Sequence, residues 1–379
     1  MGVALGWVLA RKTPPLDSAS AATPEQLGGL ITQLAGDDPD RALAALTQAA
    51  EMDHSMAELH LTLGSLFRKR GEVDRALRVH EALLARPNLR PDLREQVRYE
   101  LAHDYMKAGV IDRAEKLFQD LSAHGPRVAD ALEQLRSIYE QGRDWKQATD
   151  MARRLEAVRG ESRRVVISQY FCEQAEEAKT AADMAAALKL AKRALDEDAG
   201  CVRANLLLGA LHEAEDETPA AIKAYRRALD QDARYLAEVI EPLRRCYQKA
   251  GDMEGYLTFL KDAKEMSQSS LPWLSEAQLM REEGQDPMSH LAEGLEQRPS
   301  RAVLAEFLEV MEQRADVAAI GLDRPAASLR NAIRRLMDAT PGYQCAHCGF
   351  QPRQLFWQCP SCRQWATTAP TNDVLKPAN

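Results

Sequence analysis

A short phrase returns along this chain at a nearly fixed interval, and that interval limits the fold more than any other feature. Asp40-Arg41-Ala42-Leu43 recurs as Asp74-Arg75-Ala76-Leu77, 34 residues on. Asp112-Arg113-Ala114 follows 38 residues later, and Ala148, Ala187 and Ala221 continue in steps of 34, 39 and 34. A period near 34 fits two short antiparallel helices per repeat. One such pair cannot bury its own apolar face, so neighbouring pairs must stack into a solenoid. Ala, Leu, Arg and Glu dominate the chain, and only 6% of it is aromatic, which also favours helix.

The residues inside each period match tetratricopeptide repeats. In the best-formed unit, about Ala57 to Asn88, Leu63-Gly64 and Phe67 supply a large, a small and an aromatic residue. Leu208-Gly209, Ala221, Tyr225 and Ala228 repeat that pattern across 202–234. Small residues let paired helices approach, while Leu and aromatics fill the space between repeats. Arg70-Gly71-Glu72, Ala108-Gly109-Val110, Gln141-Gly142-Arg143 and Ala250-Gly251-Asp252 place glycine where a helix ends in a left-handed residue. Asp74, Asp112 and Asp252 lie near the next helix start, where a carboxylate suits free N–H groups. The expected array covers 24–340 with eight or nine helix pairs. Its pattern thins after Tyr235, where Pro272, Pro287 and Pro325 are expected to interrupt it.

Chemistry concentrates at the other end. Cys345-x2-Cys348 and Cys359-x2-Cys362 stand ten residues apart, a spacing that points two thiolates from each turn at one centre. An all-sulfur set is closed and structural, and either iron or zinc suits it. Two disulfides are the competing reading, but the chain has three further scattered cysteines and no secretory signal. His347 lies between two ligands and is not needed for a complete shell. Five aromatics, Tyr343, Phe350, Phe356, Trp357 and Trp365, crowd into 23 residues. A module this small needs the metal and large rings as its core. Residues 349–358 are expected to form a hairpin between the knuckles, and the module to pack on the last repeats. Gly349 follows the first knuckle, whereas Arg363 takes that place in the second. The short gap argues against an electron carrier. Only Arg353, Arg363 and Lys376 are basic in 343–379, and the chain's net charge is -8, so nucleic acid is not an expected partner.

A helical array of this kind presents a groove to a peptide or protein, and no enzyme activity is expected. The first helix of each pair offers Arg68, Lys69, Tyr99, His103, Met106, Glu133 and Arg203 as groove candidates. Ordinary solvated charges and packing between repeats are the competing reading for each. Cys172, Cys201 and Cys246 read as isolated buried thiols on helices. Met1 to Ala10 is apolar and precedes Arg11-Lys12. Ten residues are too few to span a bilayer, yet Trp7 beside a basic pair suits the cytoplasmic end of a membrane helix. The expected organisation is a partial anchor at 1–12, a Pro/Ser/Ala linker at 13–23, the array, a metal module at 341–366 and a polar tail at 367–379.

Ala57 to Leu84 (AELHLTLGSLFRKRGEVDRALRVHEALL) and Tyr343 to Trp365 (YQCAHCGFQPRQLFWQCPSCRQW) together resemble the lipopolysaccharide assembly protein B family of Gram-negative bacteria. The resemblance implies a tetratricopeptide solenoid with a small rubredoxin-like, zinc-ribbon-type metal module. It implies one iron ion on Cys345, Cys348, Cys359 and Cys362, with zinc possible in its place. It also implies a single N-terminal anchor in the inner membrane, facing the cytoplasm, although the apolar stretch here is half the usual length. The implied role is an adaptor that promotes turnover of the lipid A deacetylase by the FtsH protease and gathers lipopolysaccharide-assembly proteins. An iron-based redox or metal sensor, and a generic chaperone-like scaffold, are the alternative readings.

Overall fold

A computed structural model describes residues 57–371. The proposed anchor and linker, and the first repeat phrase at Asp40, lie outside these residues. The chain divides into two compact units between Ile138 and Tyr139. Among the described residues seven successive helix pairs are followed by a last group of three helices. The first unit holds α1 (Ala57–Lys69) with α2 (Val73–Leu84) and α3 (Pro91–Lys107) with α4 (Ile111–Ala123). The boundary falls within α5 (Val128–Gln141), which precedes α6 (Trp145–Arg159). The second unit continues with α7 (Arg164–Thr180) and α8 (Met184–Glu197), α9 (Val202–Ala214) and α10 (Thr218–Gln231), then α11 (Leu236–Ala250) and α12 (Met253–Met266). It closes with α13 (Leu271–Glu282) and α14 (Met288–Gln297), then α15 (Arg301–Glu312), the short α16 (Ala315–Ala319) and α17 (Asp323–Ala339).

One turn geometry joins the helices within a pair. A left-handed residue follows the first helix, and the next N–H reaches back to a carbonyl five residues earlier. Glu72 N donates to Phe67 O, Asp144 N to Tyr139 O and Asp252 N to Tyr247 O, at 2.9, 2.9 and 3.0 Å. Gly71 and Gly251 hold the left-handed place at φ 83° and 69°. The expectation that Gly142 would do so is wrong by one residue: Arg143 takes it at φ 57°. Ala182 and Asp216 fill the same place at φ 59° and 62°, so repeated tertiary packing enforces the turn without glycine. Asp144, Asp183 and Asp252 then cap the second helices through the backbone N–H of Gln147, Ala186 and Gly255.

The signature residues pack as their sizes require. Ala76, Ala114, Ala148, Ala187 and Ala221 are fully buried. A Cβ on Gly64 would lie 2.3 Å from the His80 ring, and one on Gly209 2.5 Å from the Tyr225 ring. The second helix thus lays a ring across the bare backbone of the first. The prolines expected to interrupt the array instead start helices. Pro272 lies in the first turn of α13, Pro287 caps α14 and Pro325 falls in the first turn of α17, where a missing N–H costs no hydrogen bond.

After α17 the chain forms two short antiparallel strands, β1 (Tyr343–Cys345) and β2 (Thr368–Pro370), with Cys345 opposite Thr368. Gln358 and Trp365 form a further bridge. The expected hairpin over 349–358 does not form. The strand pairing joins the two ends of the module instead, so residues 368–370, expected in the tail, belong to it.

Candidate metal centre

Each Cys-x-x-Cys segment folds back on itself by the same two backbone hydrogen bonds. In the first knuckle Gly349 N donates to Cys345 O at 3.0 Å and Cys345 N to Phe350 O at 2.8 Å. In the second, Arg363 N donates to Cys359 O at 2.8 Å and Cys359 N to Gln364 O at 2.9 Å. Both turns need a left-handed residue after the last cysteine: Gly349 has φ 75° and Arg363 has φ 58°. The departure at Arg363 therefore leaves the geometry intact and places a side chain where glycine is favoured.

The two knuckles bring the four sulfurs of Cys345, Cys348, Cys359 and Cys362 within 4.8 Å of one another. Cys345 Sγ is 3.8 Å from Cys362 Sγ, and Cys348 Sγ is 3.7 Å from Cys359 Sγ. A tetrahedron with metal–sulfur bonds of about 2.3 Å has edges of about 3.8 Å. The residues present therefore fit a tetrathiolate ion, and the donor set accepts iron or zinc alike. Cys345 and Cys359 are buried, Cys362 is half-buried and Cys348 is exposed, so one corner faces solvent. Burial raises the Cys345 thiol, but the Thr367 hydroxyl and the amides of Cys348 and His347 outweigh it and bring it down to about 6. At Cys362 the Gln364 amide pulls downward, yet burial and the neighbouring sulfurs push the thiol up to about 12. Crowded thiols cannot all ionise without a cation, and a divalent or trivalent ion removes that conflict. His347 is exposed and outside this cluster.

The module lies on the first half of the second unit, against residues between Glu140 and Glu238, not on the last repeats as expected. The reason is a line of aromatic and acidic partners there. Trp365 Nε1 donates to Glu140 Oε1 at 3.0 Å, and the ring stands edge-on to Trp145 and Tyr170 at 6.0 and 5.8 Å. Trp357 stacks on Tyr235 at 5.6 Å with 9° between planes. The Arg203 guanidinium lies 5.6 Å from the same ring and pairs with Glu173 at 2.8 Å. Tyr235 donates its hydroxyl to Thr368 O at 3.1 Å, and Tyr343 to Glu238 at 2.6 Å. Burial pushes the Tyr235 phenol up to about 12, and burial with Glu238 raises Tyr343 as well, so both remain donors. Trp145, Tyr170 and Tyr235 were not singled out from sequence. Their signal was available: each is a large ring outside the repeat signature.

The groove candidates separate. Arg203 is only 5% exposed, with its guanidinium against Trp357 of the module. Arg68, Lys69, His103 and Met106 gather with Lys107 around one open depression of about 400 Å³ in the first unit. Tyr99 stands edge-on to His103 at 4.6 Å, outside that lining. Glu133 pairs with Arg136 on α5 and does not line it. Arg68 is tied beneath the depression to Asp104 at 2.7 Å and to Glu100, and Asp104 also meets His80 Nδ1 at 2.5 Å. Burial raises the Glu100 carboxyl, but its bond and charge contact with Arg68 outweigh it and hold it below the usual range. Burial, reinforced by Arg68, lowers His103. A second depression, about 380 Å³, lies along the module edge and is lined by Glu140, Arg143, Glu173, Phe356 and Gln358 among others.

Two thiols expected to be isolated are not. Cys172 and Cys201 are neighbours, with sulfurs 3.9 Å apart, because Cys201 ends the link before α9 rather than lying on a helix.

Comparison with known proteins agrees with both parts. Residues 343–370 match the rubredoxin metal binding domain, and 31–89 and 172–235 match the tetratricopeptide repeat. Lipopolysaccharide assembly protein B of Escherichia coli (strain K12) is 30% identical over 376 residues, covering 98% of this chain and 96% of its own. The chain belongs to the lipopolysaccharide assembly protein B family. The Haemophilus influenzae protein of that name is also 30% identical, over 390 residues, with the same shares of 98% and 96%. Among solved structures, a MamA protein aligns with 49% of this chain and 96% of its own at 18% identity and TM-score 0.32. The C-terminal part of a TPR repeat-containing protein from Cytophaga hutchinsonii aligns with 64% and 95% at 13% identity and TM-score 0.40. Among the described residues no helix is long and apolar enough to cross a membrane.

Proposed function

We propose that this protein is a non-catalytic adaptor at the cytoplasmic face of the inner membrane that lowers lipopolysaccharide synthesis. It presents the lipid A deacetylase to the FtsH protease and gathers other lipopolysaccharide-assembly proteins. The observation that carries this reading is the 30% identity to lipopolysaccharide assembly protein B along 98% of the chain. The geometry suits presentation rather than chemistry. Each unit has an open depression: Arg68, Lys69, His103 and Met106 would hold a peptide in the first, and the module edge would hold a second contact. Residues 1–12 would supply the membrane attachment.

The proposed metal is one iron ion held by Cys345, Cys348, Cys359 and Cys362, with zinc as the alternative. Held by these four thiolates, the ion would compensate their charge and tie the two knuckles together, and Trp357 and Trp365 of the module so closed meet partners on α5, α7 and the α10–α11 link. Metal analysis of protein from its native host distinguishes the two ions. The function is tested by recovering the protein from cross-linked membranes, with and without residues 341–379. The protease and deacetylase are expected with the intact chain and depleted without the module. Recovery of neither with the intact chain contradicts the adaptor role.

A further inference from the structure

Two thiols that the metal centre does not use lie beneath it. Cys172 sits within α7 and is fully buried; Cys201 immediately precedes α9 and is 3% exposed. Their sulfurs are 3.9 Å apart, within reach of each other after a small movement. Their setting is not that of inert core thiols. Gln169 Nε2 lies 3.4 Å from Cys201 Sγ. Cys201 also lines a cavity of about 210 Å³ between the repeats and the module, with Gln169, Arg203, Gln231, Trp357 and Thr367. Arg203 Nε and Gln231 Oε1 are buried there without a protein partner. The cavity is therefore polar and large enough for a small hydrogen-bonding molecule.

The two sulfurs differ in character. The Cys172 thiol, against the effect of burial and aided by Ser168 and the Ala204 amide, brings Cys201 down to about 7. Burial above all pushes Cys172 well up. One sulfur is thus disposed to be the thiolate and its neighbour to hold the proton, the division found where one thiol attacks and another resolves.

We propose that Cys172 and Cys201 form a redox-active dithiol, oxidised to a disulfide by a hydroperoxide that enters this cavity. The Cys201 thiolate attacks one peroxide oxygen. The O–O bond breaks, Cys201 becomes a sulfenic acid, and the departing oxygen leaves as hydroxide or alkoxide and takes a proton. The Cys172 sulfur then attacks the sulfenic sulfur, the S–O bond breaks, and hydroxide leaves with the Cys172 proton as water. Two thiols lose two electrons and the peroxide gains them. A disulfide bond is about 2.05 Å long, so the sulfurs must close by about 1.9 Å. The 198–201 link can supply this movement, since α7 is packed on both sides. That link leads directly into Arg203, whose guanidinium faces Trp357 of the module. The bond therefore acts on the seat of the metal module without touching its ligands.

The test treats the full-length, metal-loaded protein with hydrogen peroxide at one equivalent, then alkylates and maps peptides. The expected result is a peptide pair joined through Cys172 and Cys201, with loss of both free thiols while the metal stays bound. In Cys172→Ser, the Cys201 sulfenic acid should persist and be trapped by dimedone. The wild-type map needs no substitution, so a variant that fails to fold does not decide the question. The proposal is overturned if the metal cysteines oxidise first while Cys172 and Cys201 remain fully alkylatable after denaturation. It is equally overturned if oxidised wild-type protein carries Cys172 or Cys201 only in disulfides with the metal cysteines.

Discussion

The repeat array and the metal module solve the problem of small size in opposite ways. Each helix pair is too small to stand alone, but its buried alanines and its ring-over-glycine contact recur, so stability is shared along the array. The module, residues 343–371, buries only Cys345, Pro352, Cys359, Trp365 and Thr368. It has almost no core of its own. Its order would rest on a metal held by the four cysteines and on two tryptophans seated on the array. Damage to the array should therefore be graded and widely spread, while damage to the module should be local and nearly complete.

The largest effect should follow from removing a metal ligand. Metal binding free energy on the order of 10 kcal/mol stands behind a site of this type. Cys359→Ser should yield metal-free protein whose residues 343–371 exchange amide hydrogens rapidly, with the array's melting temperature little changed. Elemental analysis and hydrogen exchange read both. Trp365→Ala comes next, at about 3–5 kcal/mol for a buried ring. The metal should remain bound, but the module should detach from Trp145 and Tyr170, seen as faster exchange on α7 and at β2. Gly209→Ala should cost about 1–3 kcal/mol, because its new Cβ meets the Tyr225 ring. This loss should appear in the melting of the array with metal content unchanged, the reverse of the Cys359 pattern. Smallest is a gain: Arg363→Gly should stabilise the metal-loaded module by about 1 kcal/mol, by relieving φ 58° at that position. Chelator resistance is the readout.

The array was legible in sequence because its signal repeats. Asp74-Arg75-Ala76, the Gly64 position and the four cysteines each imply a local geometry, and the structure holds those residues in it. What the sequence concealed is non-local. Nothing near Trp365 indicates that its partner is Glu140, and nothing near Arg203 indicates that Trp357 covers it. The position of Arg143 in place of Gly142 was hidden for a related reason: packing on both sides fixed the turn, and propensity alone put the left-handed residue one place too early. Cys172 and Cys201 look isolated because 29 residues separate them, about five short of one repeat period, and a solenoid brings such positions together.

The most direct test of the adaptor account is the half-life of the lipid A deacetylase after synthesis is stopped, in cells depleted of this protein and then supplied with either the intact chain or Cys359→Ser. The account predicts that depletion lengthens the half-life and raises deacetylase abundance, that the intact chain restores rapid turnover, and that Cys359→Ser does not. An unchanged half-life on depletion would contradict it.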